Sequence, residues 1–344
     1  MSLAELIPSY LHWVEAEMRA LLTAPTAASQ GHYAIMQYHM GWLGPDLKPT
    51  QAPAGKRVRP LLCLLACAAA GGDPGQAAPA AAGLELLHNF SLLHDDIEDA
   101  SPTRRGRATA WILFGMPKAC NAGDGMFSLA HMAFYRLLDR GMREELVLAA
   151  LKRFSAMCVH LTEGQYLDMS FEQRTDVSVD EYFEMIAGKT GALLAVASEI
   201  GALLANAPAA TVAAYHRFGA ALGRAFQLRD DILGIWGNEE VTGKSAASDI
   251  LSKKKSLPVL YGLTDSRVGP ELRARYAGPS FTAADVPAVL ALLDIAGARD
   301  YVQEQVRIAS AEARRALAEV AATAVAAPHA ALAELLDALI EREQ

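Results

Sequence analysis

The sequence predicts an all-α protein, and three features of the chain support this class. Hydrophobic residues make up 52% of the 344 residues, alanine and leucine dominate, and runs of β-branched residues are scarce. Apolar residues recur at helical spacing, as at Leu86, Phe90 and Leu93. We find no strand–turn–strand signature and no Gly-x-Gly-x-x-Gly motif at a strand–helix junction.

Clusters of proline, glycine and polar residues divide the chain into about ten or more predicted helices. The breaks fall near residues 24–31, 44–55, 71–79, 101–109, 175–178, 206–211, 237–248 and 264–279. We predict one domain over residues 1–344. Its predicted parts are N-terminal helices at 1–50, a core with the acidic motifs at 51–262, and alanine-rich packing helices at 263–344.

Composition excludes several classes of protein. A formal net charge of −8 argues against a nucleic-acid binder, which would need a basic face. Cys63 and Cys67 lie four residues apart in apolar sequence, which indicates buried reduced thiols rather than a disulfide or a zinc site. The N-terminus lacks the pattern of a signal peptide, and charged residues or proline interrupt the longest apolar stretches. We therefore expect a cytoplasmic protein with no transmembrane segment.

Two acidic pairs are the most informative feature of the chain. Asp95-Asp96 begins a run that ends at Asp99, and Asp230-Asp231 forms the second pair; both follow apolar helical sequence. Carboxylates in such surroundings are costly unless they are paired or bind metal. Asp95 and Asp99 are four apart, so on a helix they share a face about 6 Å apart. Oxygen ligands without histidine or cysteine at matching spacing suit Mg²⁺.

Basic residues accompany both acidic pairs and suit the binding of a polyanion, because guanidinium groups bind phosphate in bidentate fashion and lysine supplies a point charge. They are Lys56, Arg57, Arg59, Arg104, Arg105, Lys189, Lys244 and Lys254. We expect Lys253 and Lys255 to be solvated surface charges. Together the acids and bases predict one cavity for hard cations and a polyanion.

A nucleotide-binding P-loop is the first alternative for two Gly-Lys pairs. Gly188-Lys189-Thr190 and Gly243-Lys244-Ser245 resemble the end of that motif, which needs a glycine five residues before the Gly-Lys pair. Phe183 and Asn238 occupy those positions, and no strand precedes either pair. The motif is therefore excluded.

Several motifs in order resemble the trans-isoprenyl diphosphate synthase (polyprenyl synthetase) family over roughly residues 50 to 262. They are Gly55-Lys56-Arg57-Val58-Arg59-Pro60, His88, His94-Asp95-Asp96-Ile97-Glu98-Asp99, Arg104-Arg105-Gly106, Gly188-Lys189-Thr190-Gly191, Phe226-Gln227, Asp230-Asp231 and Gly243-Lys244. The resemblance implies a single large bundle of mostly antiparallel helices around a central active-site cavity. It also implies Mg²⁺-dependent condensation of isopentenyl diphosphate with an allylic diphosphate.

The resemblance implies a role for each matching residue. For isopentenyl diphosphate the residues are Lys56, Arg59, His88 and Arg105. For the allylic diphosphate they are Arg104, Lys189, Thr190, Gln227, Lys244 and Lys254, with Gln165 and Asp168 also expected to face the cavity. The implied metal set for three Mg²⁺ ions is Asp95, Asp96, Asp99, Asp230 and Asp231, with Asp95, Asp99 and Asp230 as the direct ligands.

The chain departs from the family pattern in three places. Gly234 stands where the second acidic motif normally ends in aspartate, Asn238 where a further acid is common, and Ala108 where proline often follows the arginine pair. Because Gly234 cannot contribute an outer ligand, we expect the third Mg²⁺ to bind more weakly, without loss of activity.

Two other functions compete with chain elongation. A class I terpene cyclase shares the first acidic motif, but its second motif needs serine or threonine at 234 and glutamate at 238, where this chain has Gly234 and Asn238. A non-catalytic regulatory subunit would be expected to have lost the first motif, which is intact here. Chain elongation is the favoured interpretation.

Two further expectations concern product length and assembly. Phe90 and Ser91 precede Asp95 by five and four residues, so they lie about 7.5 and 6 Å back along the helix. An aromatic residue at the position of Phe90, together with a first motif that has no insertion, resembles the pattern of family members that make short products. We therefore favour twenty-carbon geranylgeranyl diphosphate, with fifteen-carbon farnesyl diphosphate as the alternative, and we expect a homodimer.

Overall fold

The structure, a computed structural model, describes residues 2–50, 52, 55–172, 174–237 and 247–341. Its contacts group the chain into two compact units. Unit 1 comprises Met1–Arg153, Ala197–Val212 and Thr323–Leu332, and unit 2 comprises Phe154–Val196, Ala213–Ala322 and Ala333–Gln344. The organisation into one domain remains a prediction.

Helices account for most of the described residues, which confirms the predicted all-α class. In the first part of the chain they are α1 (Leu3–Leu21), a 3₁₀ turn (Ala27–Ser29), α2 (Gln30–His39), α3 (Val58–Ala69), α4 (Pro74–Glu98), α5 (Ala110–Phe114) and α6 (Met116–Asp139). The regular strands among the described residues are two short ones, β1 (Thr103–Arg104) and β2 (Arg107–Ala108), which pair as an antiparallel hairpin.

The second part of the chain continues the helical pattern. Its elements are α7 (Glu144–Glu172), α8 (Val179–Ile186), a π-helical turn (Ala187–Gly191), α9 (Ala192–Leu204), α10 (Ala209–Trp236), α11 (Ser248–Leu251), α12 (Leu257–Thr264), α13 (Gly269–Ala277), α14 (Val286–Ala296), α15 (Ala298–Val320) and α16 (Ala326–Ile340).

Helix α4 carries the first acidic motif and is the central packing element of unit 1. Asp73 caps its N-terminus by accepting a hydrogen bond from the Gly75 amide at 2.8 Å. The following stretch of small residues, 77–83, is buried. A side chain at Gly83 would begin 2.8 Å from the Ala130 carbonyl oxygen on α6, so glycine allows the two backbones to approach closely. This packing fixes α4 up to the point where its acidic end begins.

In unit 2, apolar residues anchor the part of α10 that carries the second acidic pair. Leu228 and Ile232 flank Asp230 and Asp231 and are buried in a cluster with Leu257 of α12. Burial of aliphatic side chains on both sides of the acidic pair holds this turn of α10 in place. The acidic residues are therefore displayed from a rigid helix.

One continuous helical stretch bears on the membrane prediction. Among the described residues, Val179–Leu204 is long and apolar enough to cross a membrane, and 78% of its most apolar window is buried within the protein. A core helix of a soluble protein has the same properties, so a single such stretch is weak evidence for a span.

Candidate active site

The loop before α3 is held to α4 by a buried ion pair. Arg57, in the left-handed region at φ +50°, points inward, and its Nη1 donates to Oε1 of Glu85 at 2.7 Å. Asn89 Nδ2 donates to the same oxygen at 3.0 Å, and Glu15 Oε2 lies 3.9 Å from Arg57 Nη2. The side chains of Arg57 and Glu85 are only 7% and 3% exposed. With Arg57 anchored, Lys56 remains exposed and Arg59 half-buried.

The hairpin β1–β2 separates the two neighbouring arginines: Arg104 lies in strand β1 and Arg105 lies in the turn. Arg104 pairs with Arg107 across the strands, and the turn residues Arg105 and Gly106 have φ values of +52° and +73°. Positive φ at both turn residues is typical of a two-residue type I′ hairpin. Arg105 packs against the loop before α3, where a side chain at Gly55 would begin 2.9 Å from Arg105 Nη2.

His88 lies among the cations predicted for isopentenyl diphosphate. Burial lowers its pKa well below the usual range, and the charges of Arg59 and Arg105 lower it further. His88 is therefore neutral at physiological pH and can donate or accept a hydrogen bond without adding charge. In unit 1, the charges of Arg59 and Arg105 thus act on His88, and Arg105 lies against Gly55, next to Lys56.

The three aspartates of the first motif occupy different environments. The Asp99 amide donates to the Asp95 carbonyl at 2.9 Å, which preserves the predicted helical register of these two residues. Asp99 is exposed and the Asp95 side chain is 20% exposed, whereas Asp96 is buried at 1% exposure. Burial raises the pKa of Asp96 to about 6, against the opposing effect of Arg104. Asp95 and Asp99 are accessible to a metal ion, while Asp96 points inward.

Arg104 links the inward and outward aspartates. Its Nε donates to Asp96 Oδ1 at 2.7 Å and its Nη2 to Asp95 Oδ2 at 3.1 Å. Such charge-assisted bonds to a planar guanidinium fix its orientation as well as its position. The hairpin arginine is therefore oriented beside the carboxylates.

The two predicted chain-length residues lie on α4 in unit 1. The Phe90 ring centroid is 4.7 Å from that of His94 and 5.0 Å from that of Phe127 on α6. Ser91 Oγ donates to the His88 carbonyl at 2.8 Å within the helix. Phe90 thus packs against two aromatic rings, and the contact with Phe127 was not apparent from the sequence.

In unit 2, the π-helical turn carries Lys189 and Thr190. Glycines permit close backbone packing here, since a side chain at Gly164 of α7 would begin 2.1 Å from the Lys189 amide nitrogen. This approach places Lys189 Nζ 2.5 Å from Oδ2 of Asp168 on α7. A π turn within a helix is frequent at functional sites. Lys189, which was predicted to bind the allylic diphosphate, and Asp168, which was expected to face the cavity, are therefore in contact.

A chain of hydrogen bonds connects Thr190 to the second acidic pair. Thr190 Oγ1 donates to Gln227 Oε1 at 2.8 Å, and Gln227 Nε2 donates to Asp231 Oδ1 at 3.0 Å. Asp231 Oδ2 accepts from Tyr182 Oη at 2.6 Å and from the Leu257 amide at 2.9 Å. Protein donors therefore engage both oxygens of the buried Asp231, whereas Asp230 is half-buried.

The lysines after the second pair differ from the expectation in part. Lys253 is not simply a solvated charge, because its Nζ donates to the carbonyls of Tyr276 and Gly278 at 3.1 and 2.7 Å. These carbonyls lie at the end of α13, where a cation is favourable. Lys254 lies near Asp231. Burial raises the pKa of Asp231, and the charge of Lys254 lowers it. Lys244 and Asn238 lie outside the described residues.

The sequence profile described as Polyprenyl synthetase matches residues 42–293, and the chain belongs to this family. A geranylgeranyl diphosphate synthase of Mycobacterium tuberculosis (strain ATCC 25618 / H37Rv) is 43% identical over 76% of this chain and 74% of its own length. A (2E,6E)-farnesyl diphosphate synthase of Mycobacterium bovis (strain ATCC BAA-935 / AF2122/97) is 43% identical over 82% of this chain and 76% of its own length.

A solved structure extends the similarity to the fold. The polyprenyl synthetase from Streptomyces coelicolor A3(2) is 35% identical, with a TM-score of 0.86 over 97% of this chain and 98% of that chain. This match confirms the predicted isoprenoid-synthase type of all-α fold. The relatives support the predicted class of enzyme, a short-chain trans-prenyltransferase, and leave the chain length of its product undecided.

Proposed function

We propose that this protein condenses isopentenyl diphosphate with an allylic diphosphate and makes geranylgeranyl diphosphate. The observation that supports the proposal is a group of basic residues around His88, in addition to Arg104, which pairs with the first acidic motif. The charges of Arg59 and Arg105 act on the buried His88, while Arg104 pairs with Asp95, and Asp95 and Asp99 are accessible to solvent. An enzyme with two diphosphate substrates needs both sets, whereas a cyclase with a single diphosphate substrate has no use for the first.

The group around His88 is assigned to isopentenyl diphosphate. Its members are Lys56, Arg59, His88 and Arg105. The guanidinium groups supply bidentate contacts to phosphate, and neutral His88 supplies a hydrogen bond. The carbon–oxygen bond of isopentenyl diphosphate does not break in the reaction. Its diphosphate therefore has to be bound but does not have to be activated as a leaving group.

The allylic diphosphate is assigned to a second set. Its members are Arg104, Lys189, Thr190, Gln227, Lys244 and Lys254. Asp168 orients Lys189 through the 2.5 Å contact, and Asp96 and Asp95 orient Arg104. Preoriented cations stabilise a departing diphosphate more than mobile ones, because they need no reorganisation as charge develops.

The carboxylates suit Mg²⁺, and the contacts favour a ligand set smaller than the five acids implied by the motifs. Asp95, Asp99 and Asp230 are accessible oxygen donors of the kind that Mg²⁺ prefers. Asp96 and Asp231 are buried and bound to Arg104 and to Gln227, respectively. We assign these two to holding neighbouring side chains. Bound Mg²⁺, with three ions implied by the motifs, would neutralise the charge of the allylic diphosphate.

The proposed mechanism needs no protein nucleophile. Arg104, Lys189 and Lys254 stabilise the departing diphosphate as the allylic carbon–oxygen bond breaks. The double bond of isopentenyl diphosphate then attacks the allylic cation to form the new carbon–carbon bond, and loss of one proton to the released diphosphate restores a double bond. An apolar helical environment protects the cation from water.

Product length is assigned to Phe90, which is held by His94 and Phe127. A fixed ring one to two turns before Asp95 would act as a floor for the growing chain. Farnesyl diphosphate is the alternative product, because relatives of equal identity bear both names.

We also propose a cytoplasmic homodimer. Met132, Tyr135 and Leu138 of α6 are 52%, 58% and 44% exposed and follow one another at three-residue spacing. Residues three apart lie along one face of a helix, so these side chains form an apolar strip. A second copy of the chain covering this strip would remove it from water.

The proposed function is tested by product analysis. Purified protein is incubated with Mg²⁺, isopentenyl diphosphate and each allylic primer in turn, and the prenyl chains are separated by length. We expect twenty-carbon product as the main species, and none from samples lacking either substrate or Mg²⁺. A cyclic hydrocarbon from an allylic diphosphate alone would establish a cyclase, and no turnover with any primer would favour a regulatory subunit.

A further inference from the structure

Gly234 of α10 has a carboxylate where its side chain would be. A Cβ atom at position 234 would lie 2.4 Å from Oδ2 and 2.8 Å from Oδ1 of Asp249. Real Cβ atoms do not approach other atoms so closely, so the Asp249 carboxylate occupies the space of the missing side chain. Gly234 is four residues after Asp230, on the same helical face.

The segment after α10 delivers Asp249 to this position. Asp249 lies in the short helix α11, next to Ile250, which is fully buried. The Asp249 carbonyl accepts a hydrogen bond from the Lys254 amide at 2.9 Å. Burial of Ile250 and this backbone bond fix the turn, and the Asp249 residue is itself only 8% exposed.

The charge of Asp249 also reaches the second acidic pair. Asp249, Asp231 and Lys254 interact electrostatically within unit 2. A buried carboxylate beside another acid is unfavourable unless a cation compensates for it.

We propose that Asp249 supplies the acidic side chain that the second motif lacks at Gly234, and that it acts with Asp230 towards Mg²⁺. This inference rests on the proposed function. It replaces the expectation that Gly234 weakens the third metal site, because the carboxylate comes from another part of the chain. It also means that aspartate at 234 would not repair the motif, since its Cβ would collide with Asp249.

Metal binding by the whole protein tests this inference without relying on turnover. Mn²⁺ serves as a paramagnetic probe, and free Mn²⁺ is measured by electron paramagnetic resonance at saturating inorganic pyrophosphate. Asp249→Asn keeps the shape and removes the charge, and we expect the weakest pyrophosphate-dependent site to lose about 10- to 100-fold in affinity. Gly234→Ala should weaken the same site, because the added methyl group displaces the carboxylate without changing the net charge.

Two further variants complete the design. The double variant Gly234→Asp with Asp249→Ala returns the acid to the motif and should bind Mn²⁺ more tightly than Asp249→Asn. Asp294→Asn is the matched control, since it removes an exposed carboxylate from α14 of the same unit and should bind as the unaltered protein does. Thermal unfolding of each variant identifies any that fail to fold.

The outcomes separate this inference from the proposed function. If Asp249→Asn binds Mn²⁺ as tightly as the unaltered protein while Asp95→Asn binds it weakly, Asp249 has no role at the metal and the proposed function survives. If the unaltered protein shows no pyrophosphate-dependent Mn²⁺ binding, both fail. Tighter Mn²⁺ binding by Gly234→Asp alone would also overturn the inference, because it would show an unfilled position in the motif.

Discussion

Replacing Glu85 with glutamine should impair the binding of isopentenyl diphosphate, although Glu85 is in none of the predicted substrate sets. Its carboxylate holds Arg57 at 2.7 Å, and Arg57 lies between Lys56 and Arg59. Glutamine preserves the shape and can still accept the bond from Asn89, but it leaves the guanidinium without its buried counter-charge. The loop before α3 would then lose its main anchor on α4.

The burial of the Arg57–Glu85 pair determines how much stability the substitution should remove. Removing one partner of a buried ion pair costs about 3 to 5 kcal/mol, because the other charge is left uncompensated. Glu15, 3.9 Å from Arg57 Nη2 and 33% exposed, can partly compensate, so we expect the lower end, about 3 kcal/mol. For a chain of this length unfolding in one step, this corresponds to a Tm decrease of roughly 4 °C.

Steady-state kinetics and thermal unfolding of Glu85→Gln, with Glu15→Gln as control, check this prediction. We expect the KM for isopentenyl diphosphate to rise about tenfold or more and the KM for the allylic substrate to change little, since about 1.4 kcal/mol of lost binding is a factor of ten. Glu15→Gln removes a more distant and partly exposed charge, so the stability of this variant should stay within about 1 kcal/mol of that of the unaltered protein. A lower Tm with an unchanged KM for isopentenyl diphosphate would refute a positioning role.

The remaining predictions concern the metal, the product, the assembly and pH. Asp95→Ala should abolish turnover with little change in Tm, because the residue serves metal rather than packing; near-normal activity would refute the metal assignment. Phe90→Ala should shift products to longer chains, and an unchanged distribution in a folded, active variant would place the floor elsewhere. Tyr135→Asp should yield monomers in sedimentation at micromolar concentration, and a monomeric unaltered protein would contradict the dimer. Burial first, and then nearby arginines, lower the pKa of His39 from 6.5 to about 3, so its contribution to stability is full above about pH 6.5 and falls towards pH 3. The Tm of His39→Gln should therefore fall less steeply than that of the unaltered protein as the pH is lowered through this range. Parallel curves of Tm against pH for the two proteins would contradict the role of His39.

The helical frame and the order of the site residues follow from local patterns. The spacing of Leu86, Phe90 and Leu93 predicts the helix that carries Asp95, and the hydrogen bond from the Asp99 amide to the Asp95 carbonyl confirms that the helical register extends through the motif. Such features depend on neighbours within one or two turns, which a sequence displays directly.

The features that the sequence did not reveal depend on contacts between distant segments. Glu85 appears as one acid within an apolar helix, and only its contact with Arg57, 28 residues away, gives it a role. Lys253 resembles a surface lysine until the carbonyls at the end of α13 are placed around it. The absence of a side chain at Gly234 likewise says nothing about Asp249, because the fold alone brings the two together.

The central claim is that two different sets of residues bind the two diphosphates, and one kinetic comparison tests it most directly. The KM values of both substrates are measured for Arg59→Ala and for Lys189→Ala. A lost charge-assisted hydrogen bond is worth about 1.5 to 3 kcal/mol, so each variant should raise the KM of its own substrate about tenfold or more. Arg59→Ala should affect isopentenyl diphosphate and Lys189→Ala the allylic diphosphate, with the other constant changed less than about twofold. Equal effects of both variants on both substrates would contradict the account.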